Sequence, residues 1–203
     1  MRDLTVQNKT YQNNLVMKQN WKSGTMIYPL PAVLVGCGDS PENWNLITIG
    51  WVGTVCTNPA MCYISVRPER HSYELLKRTG EFVINLTTED MARATDWCGV
   101  KSGREYDKFK ETGLTPVKGS VVNAPVIDEC PLAIECRVVE VKELGSHHMF
   151  LSEVVNVQAD ERFIDEKTGE FRLGDARLIA YSHGHYYGLG EEIGKFGFSV
   201  KKK

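Results

Sequence analysis

The residues best suited to bind a ligand lie in the stretch from Asn45 to Ser72. Gly50 and Gly53 stand among β-branched residues, and glycine inside a strand lets a ligand come close to the backbone. The same stretch supplies hydroxyl groups at Thr48, Thr54 and Thr57. Together with backbone N–H groups, these hydroxyls could hold a planar polar heterocycle.

A basic cluster ends this stretch, at Pro68-Glu69-Arg70-His71-Ser72. It opens a predicted helix with Ser72 as the N-cap. Free N–H groups at a helix start favour anions, and Arg67, Arg70 and His71 add positive charge. A planar-ring site next to an anion site is what a mononucleotide cofactor requires. The alternative is that Ser72 only caps the helix while the arginines face water.

Other motifs predict no further chemistry. The Gly36-Cys37-Gly38 run begins like a dinucleotide fingerprint, but Pro41 replaces the third glycine and opposes a following helix. The His147-His148 pair is predicted to lie in an exposed turn. His183 and His185, flanked by glycine and tyrosine, suit a loop that closes over something flat. A metal site would need a third ligand, and the sequence does not point to one.

Short apolar and β-branched runs separated by turn residues predict the elements that position these side chains. The predicted strands cover 32–36, 46–51, 61–66, 81–86, 132–141 and 149–157. The predicted helices cover 72–78, 89–98 and 105–111, with Thr87 and Asp90 spaced as a capping box for the second. Because helices are too few for alternating βαβ units, we expect an antiparallel sheet closed into a small barrel with inserted helices.

Composition narrows the class of protein. The 203 residues suggest one domain. The 24 basic and 26 acidic residues nearly balance, so the chain lacks the excess positive charge that is typical of a nucleic-acid binder. No run of eighteen apolar residues occurs, so no membrane span is expected. Residues 1–20 are polar and lack a signal-peptide core, which predicts a cytoplasmic protein. Six cysteines without a CxxC pair are expected to be reduced and buried.

The order of the motifs resembles the flavin reductase-like family, and most closely its flavoredoxin branch. The matching patterns are Asn-x-x-Thr from Asn45, then Trp51, Thr57-Asn58-Pro59, Val66-Arg67-Pro68-x-Arg70-x-Ser72-Tyr73 and Gly80-Glu81-Phe82-Val83-x-Asn85. The resemblance spans 26–85 and resumes at Asp107-Lys108-Phe109, Tyr187-Gly188-Leu189-Gly190 and Gly197-Phe198-Ser199. The ordered series is far more specific than any one motif.

The resemblance implies a mainly β fold with inserted helices, the FMN-binding split β-barrel, which forms homodimers with flavin near the subunit interface. We expect an N-terminal arm at 1–20 and a single flavin reductase-like domain at 21–203. Matched by position, the residues along the flavin's ribityl chain and ring are Asn45, Thr48, Ile49, Gly50 and Trp51. The residues at the ring edge are Thr54 and Val55. Those at the phosphate and the adjoining chain are Arg67, Arg70, His71 and Ser72. Asn85 and Lys108 belong to the pattern without an implied contact.

In such a protein FMN carries the chemistry, because its N5 accepts hydride and the reduced ring passes electrons onward. We therefore predict no catalytic side chain and no metal. The favoured hypothesis is an NAD(P)H-dependent flavin or acceptor reductase. The alternatives are a flavoredoxin-type carrier reduced by a protein partner, and a flavin-binding module without turnover. Because no separate dinucleotide fold is evident, NAD(P)H would have to stack directly over the flavin.

Overall fold

The structure is a computed structural model that describes residues 18–200. Its twelve strands within that range are β1 (Leu30–Pro31), β2 (Val33–Cys37), β3 (Asn45–Ile49), β4 (Val52–Cys56), β5 (Met61–Val66), β6 (Glu81–Leu86), β7 (Pro116–Lys118), β8 (Pro125–Ile127), β9 (Leu132–Glu143), β10 (His148–Ala159), β11 (Ile179–Ser182) and β12 (His185–Gly188). Its α-helices are α1 (His71–Thr79), α2 (Ala92–Val100) and α3 (Lys108–Thr112). Short 3₁₀ turns cover Glu89–Met91, Glu161–Phe163, Leu173–Ala176 and Phe198–Val200.

A curled antiparallel sheet of seven strands, in the order β3-β2-β6-β9-β10-β5-β4, is the centre of the fold. Apolar side chains fill its concave side, where Val35, Ile64 and Phe150 have no exposed surface. A second apolar cluster, which includes Leu34 and Leu46, packs under α2 and α3. The prediction of a mainly β protein with inserted helices is confirmed. The long β9–β10 pair forms the middle of the sheet, and β3 and β4 are its two edges.

Two smaller sheets accompany the large one. The first joins β1, β11 and β12, and the second joins β7 and β8. Asn85, whose role the sequence left open, ties β8 to the large sheet. Its buried side chain accepts a hydrogen bond from the N–H of Ile127 at 2.9 Å and donates to the carbonyl of Leu34 at 3.2 Å. Asn85 therefore has a structural role, in which it joins β8 to β2.

All six predicted strands are present, as β2, β3, β5, β6, β9 and β10, and β5 and β6 match at both ends. The third predicted helix was wrong at its start: α3 begins at Lys108, because the Asp107 carboxylate caps it by accepting from the N–H groups of Phe109 and Lys110. The capping box predicted for the second helix was also wrong. The Thr87 hydroxyl donates instead to the carbonyl of Ala32 at 2.5 Å. That stretch folds as a 3₁₀ turn followed by α2.

Three other expectations concern the cysteines, membrane-spanning helices and the N-terminal arm. All six cysteines are free thiols, and five of them are buried, with Cys56 half-buried. None of the helices within residues 18–200 is long and apolar enough to cross a bilayer. The N-terminal arm predicted for 1–20 lies mostly outside the described residues, so it stays a prediction.

Candidate functional site

A basic cavity of about 420 Å³ lies where β3, the start of α1 and the segment from α2 to α3 meet. Five of the predicted site residues line it: Asn45, Arg67, Arg70, His71 and Ser72. Asn45, which was predicted along the ribityl chain and ring, meets the four predicted phosphate residues because β3 runs past the N-terminus of α1. A volume of a few hundred Å³ is typical of small-molecule sites.

Helix α1 begins differently from the prediction. Its N-cap is Arg70 rather than Ser72, and the Arg70 side chain makes no capping hydrogen bond within the described part of the chain. Ser72 is the second residue of the helix and is 2% exposed, and its hydroxyl accepts a hydrogen bond from the Asn45 side-chain amide at 2.7 Å. With no side-chain cap at Arg70, the first N–H groups of α1 are available to an anion in the cavity.

Three cations on the other wall come from the residues that run from the end of α2 to the first residue of α3. They are Lys101, Arg104 and Lys108. The Arg104 guanidinium donates to the backbone carbonyl of Glu69 at 3.0 Å, which ties this segment to the start of α1. The Lys108 ammonium is almost fully buried and donates to the carbonyl of Cys98 at 2.6 Å.

Burial first, and neighbouring cations second, lower the pKa of two groups on the walls of this cavity. Burial lowers the pKa of Lys108 to about 8, and the nearby Arg70 guanidinium acts in the same direction. Burial also lowers the pKa of His71, helped by the charges of Arg104 and Lys108. Groups whose charged forms are held back by neighbouring cations gain most when an anion binds beside them. An anion in the cavity would therefore favour the charged forms of Lys108 and His71.

Gly103 closes the cavity on the side of the α2–α3 segment. A β-carbon at this position would lie 2.8 Å from the His71 ring and would overlap the side-chain oxygen of Asn45. Only glycine therefore allows the segment to pack so closely against these two residues. Lys108 could have been suspected from its place in the Asp-Lys-Phe motif, whereas nothing in the sequence marks Lys101, Gly103 or Arg104.

Two predicted ring-side residues, Thr48 and Gly50, line a different cavity of about 280 Å³. Its walls also include Asp96 and Gly99 from α2, and Tyr186 from β12. The Thr48 hydroxyl already donates to the carbonyl of Thr95 in α2. Neighbouring positions of a strand point to opposite faces, so this cavity and the basic cavity lie on different sides of β3.

The remaining predicted ring-side residues line neither cavity. Ile49 is buried in the main core, and the Trp51 ring stacks on His147 at a centroid distance of 5.9 Å. Thr54 and Val55 are exposed on the edge strand β4. The structure therefore gathers the predicted phosphate residues in one place but does not join these four to them.

The four histidines other than His71 lie at two hairpins. His147 and His148 lie at the β9–β10 hairpin as predicted, but the expected exposure was wrong, since the His148 side chain is 14% exposed. Its Nδ1 lies 2.8 Å from the Tyr73 hydroxyl. His183 and His185 are exposed at the β11–β12 hairpin, and that hairpin does carry Tyr186 over the smaller cavity.

Comparison with known proteins identifies the family. The sequence model of the family described as the flavin reductase-like domain matches residues 25–190 of this chain. The chain belongs to the flavin reductase-like family. It is similar in structure to the flavoredoxin of Desulfovibrio vulgaris (Miyazaki F), with 30% identity, a TM-score of 0.83, and 91% of this chain and 100% of that chain covered. A Shewanella frigidimarina protein with a split barrel domain has 25% identity and a TM-score of 0.74, with 84% and 86% covered. An NADH-dependent FMN reductase of Streptomyces nodosus is 26% identical over 129 residues, 64% of this chain and 67% of that protein.

Membership in the flavin reductase-like family confirms the split-barrel fold and a flavin-binding protein of the reductase type. The basic cavity fits the phosphate end of a flavin nucleotide. Its buried Asn45–Ser72 pair, the uncapped start of α1 and the Lys108 ammonium offer donors of the kind a phosphate needs.

Proposed function

We propose that this flavin reductase-like protein binds FMN non-covalently and is an oxidoreductase that passes electrons from NAD(P)H to an acceptor. The observation that supports it best is the uncapped start of α1, which faces a cavity with Arg70 and Lys108 on its walls. Bound FMN would supply hydride acceptance and electron transfer. The sequence has no clear Cys or His attachment motif, which favours a non-covalent cofactor.

The residues of this chain would then bind and orient the cofactor. The first N–H groups of α1, with Arg70 and Lys108, would hold the phosphate. The Asn45–Ser72 hydrogen bond fixes β3 against α1, so that the phosphate end and the strand keep a constant spacing. The backbone of β3, up to Gly50, offers a path for the ribityl chain and ring. The ring-side roles of Thr48, Ile49, Trp51, Thr54 and Val55 stay predictions.

A homodimer is part of this proposal. The edge strand β4 exposes 51% of Val55, and Trp51, the residue before it, is 37% exposed. A second copy that covers β4 would bury these side chains and bring Thr54 and Val55 close to its own or its partner's flavin. Sedimentation at micromolar concentration should give twice the mass of one chain. A monomer that binds FMN fully would contradict the shared site.

A flavoredoxin-type carrier is the second candidate, because the similarity to a flavoredoxin extends over 91% of this chain. The similarity to an NADH-dependent FMN reductase supports the first candidate. Steady-state oxidation of NADH and NADPH by the FMN-loaded protein separates them. Turnover supports the reductase, whereas reduction by a partner protein but by neither nucleotide supports the carrier.

The cofactor site is tested with Arg70→Ala and two flavins. FMN binding should weaken about ten- to a hundredfold, since a charge-assisted hydrogen bond contributes about 1.5–3 kcal/mol. Riboflavin has no phosphate, so its affinity should change little. Lys77→Ala, at the exposed far end of the same helix, is the matched control and should leave both affinities unchanged. Equal losses for the two flavins would remove Arg70 from the phosphate site.

A further inference from the structure

The cavity of about 280 Å³ beside Thr48 and Gly50 differs in charge from the basic cavity, and we refer to it as the small cavity. Within residues 18–200, Asp96 is the one charged residue on its walls, and no lysine, arginine or histidine lines it. A ligand that enters the small cavity therefore meets a negative charge that no cation on the walls offsets.

The Asp96 carboxylate is available to a ligand. In the described part of the chain it forms no ion pair, not even with Arg93 one turn before it in α2. Asp96 is exposed, so a cation can reach it from solvent. The other polar group near it, the Thr48 hydroxyl, already donates its hydrogen to the carbonyl of Thr95. Because a carboxylate only accepts hydrogen bonds, the matching ligand group is a donor, and a charged one by preference.

Two tyrosines give the small cavity an aromatic wall. The rings of Tyr181 and Tyr186 meet edge-on with 5.5 Å between their centroids, and the Tyr28 ring lies 6.2 Å from that of Tyr181. Aromatic faces attract cations, more strongly when the cation has lost part of its water. Burial first, and the Asp96 carboxylate second, raise the pKa of Tyr186 to about 12, so its hydroxyl stays neutral at pH 7. The charge of the small cavity is therefore that of Asp96 alone.

The rest of the wall leaves room for an apolar group. It is made by Ala32, Gly50, Gly99, Val100 and Gly184, none of which has a polar side chain. A β-carbon at Gly184 would meet nothing within 4 Å, and one at Gly50 would come no closer than 4.0 Å to another atom. A ligand that fits has a cationic end for the carboxylate and a compact apolar body for the remaining wall.

We infer that the small cavity binds a protonated organic amine, with its ammonium group at the Asp96 carboxylate and its apolar body against Tyr181 and Tyr186. The ammonium group is favoured over a neutral donor because charge-assisted hydrogen bonds are roughly twice as strong as neutral ones. The small cavity and the basic cavity share no residue. The site is therefore additional to the proposed cofactor site, and the inference does not depend on the proposed function.

Three probes of similar shape test the inference by ligand-observed NMR titration at pH 7: benzylamine, which is a cation, the neutral benzyl alcohol and the anion benzoate. Benzylamine should bind about tenfold or more tightly than benzyl alcohol, and benzoate should not bind. Asp96→Asn should weaken benzylamine binding about tenfold and leave benzyl alcohol unchanged. Asp90→Asn, which changes an exposed carboxylate outside the small cavity, is the matched control. Tyr186→Leu is a second variant that should also weaken benzylamine binding, through loss of the aromatic face.

Equal affinities for benzylamine and benzyl alcohol, or an unchanged benzylamine affinity in Asp96→Asn, would overturn the inference. So would a wild type that binds no benzylamine. The same titrations after addition of saturating FMN test whether the two sites are separate. An unchanged benzylamine affinity would support separate sites, whereas competition would assign the small cavity to the flavin ring and overturn the amine site. A protein that binds benzylamine through Asp96 but does not bind FMN would contradict the proposed function alone.

Discussion

The side-chain amide of Asn45 donates a hydrogen bond of 2.7 Å to the hydroxyl of Ser72, and both side chains are buried. This contact joins the edge strand β3 to the first turn of α1, across 27 positions of the sequence. It sits at the wall of the basic cavity, so one hydrogen bond serves both the fold and the site.

Ser72→Ala should therefore lower both stability and flavin affinity. The substitution leaves the Asn45 amide buried without its acceptor, which costs about 1–3 kcal/mol. Urea unfolding of the flavin-free protein measures the first effect, and FMN titration the second. Ser146→Ala, in the exposed β9–β10 hairpin, should change neither. If Ser72→Ala kept the wild-type stability and FMN affinity, the Asn45–Ser72 hydrogen bond would contribute to neither.

Lys108 should make FMN binding depend on pH. Its pKa of about 8 in the free protein means that it loses its proton as pH rises above 8. A bound phosphate keeps that proton, so affinity should fall by up to tenfold per pH unit between pH 8 and 9. The phosphate itself ionises near pH 6, below this window. Titrations of FMN at pH 7, 8 and 9 measure the slope.

Lys108→Met should remove this slope and weaken FMN binding at pH 7. Lys110→Met, on an exposed position of the same helix, should keep the wild-type slope. Riboflavin should show no slope with any of the three proteins. A steep slope that persists in Lys108→Met would assign the titration to another group.

Gly103→Ala should damage the site by steric overlap. The added methyl group would overlap the buried Asn45 side chain and the His71 ring, and a shift of Asn45 would disturb its hydrogen bond to Ser72. We expect FMN affinity to fall about tenfold or more, a loss of about 1.4 kcal/mol for each factor of ten. Gly174→Ala is the control, because a β-carbon there meets nothing within 4 Å. An unchanged FMN affinity would show that the α2–α3 segment can shift enough to accommodate the methyl group.

The sequence predicts those elements and site residues that lie close together along the chain. The strands β5 and β6 match because each is one apolar run with turn residues at its ends. The cluster from Arg67 to Ser72 was found because its members are consecutive. The family motifs supplied the fold, since no periodicity in the chain shows that the sheet curls with β3 at one edge.

What the sequence missed comes from contacts between distant segments. Ser72 is a favourable N-cap residue by type, but Asn45 takes its hydroxyl and the helix starts one residue earlier, at His71. Lys101 and Arg104 stand in a polar stretch without a motif, and only the packing of α2 and α3 brings them to the cavity. The ring-side assignments stay predictions, because their residues lie on both faces of β3, in the turn after it and on β4.

The Glu135 carboxylate stabilises the loop before β8, away from the flavin site. It is fully buried on β9 and accepts hydrogen bonds from the N–H groups of Val121 at 2.7 Å and Val122 at 2.8 Å. It also accepts from the side-chain amides of Asn156 at 2.6 Å and Gln158 at 2.8 Å. Burial opposes its ionisation, but these donors outweigh burial and lower its pKa.

Glu135→Gln should lower the free energy of unfolding by about 3 kcal/mol at pH 7, since hydrogen bonds to a charged acceptor contribute about 1.5–3 kcal/mol. A lowered folded-state pKa means that this contribution is present above the ordinary glutamate pKa of 4.5 and is lost as pH falls through the lower folded value. The difference between wild type and variant should therefore shrink in acid, as urea unfolding at pH 7 and pH 3 will measure. Glu153→Gln, on an exposed position of β10, should match the wild type at both pH values. A difference that stays constant from pH 7 to pH 3 would mean that shape, and not the charge of Glu135, holds the loop.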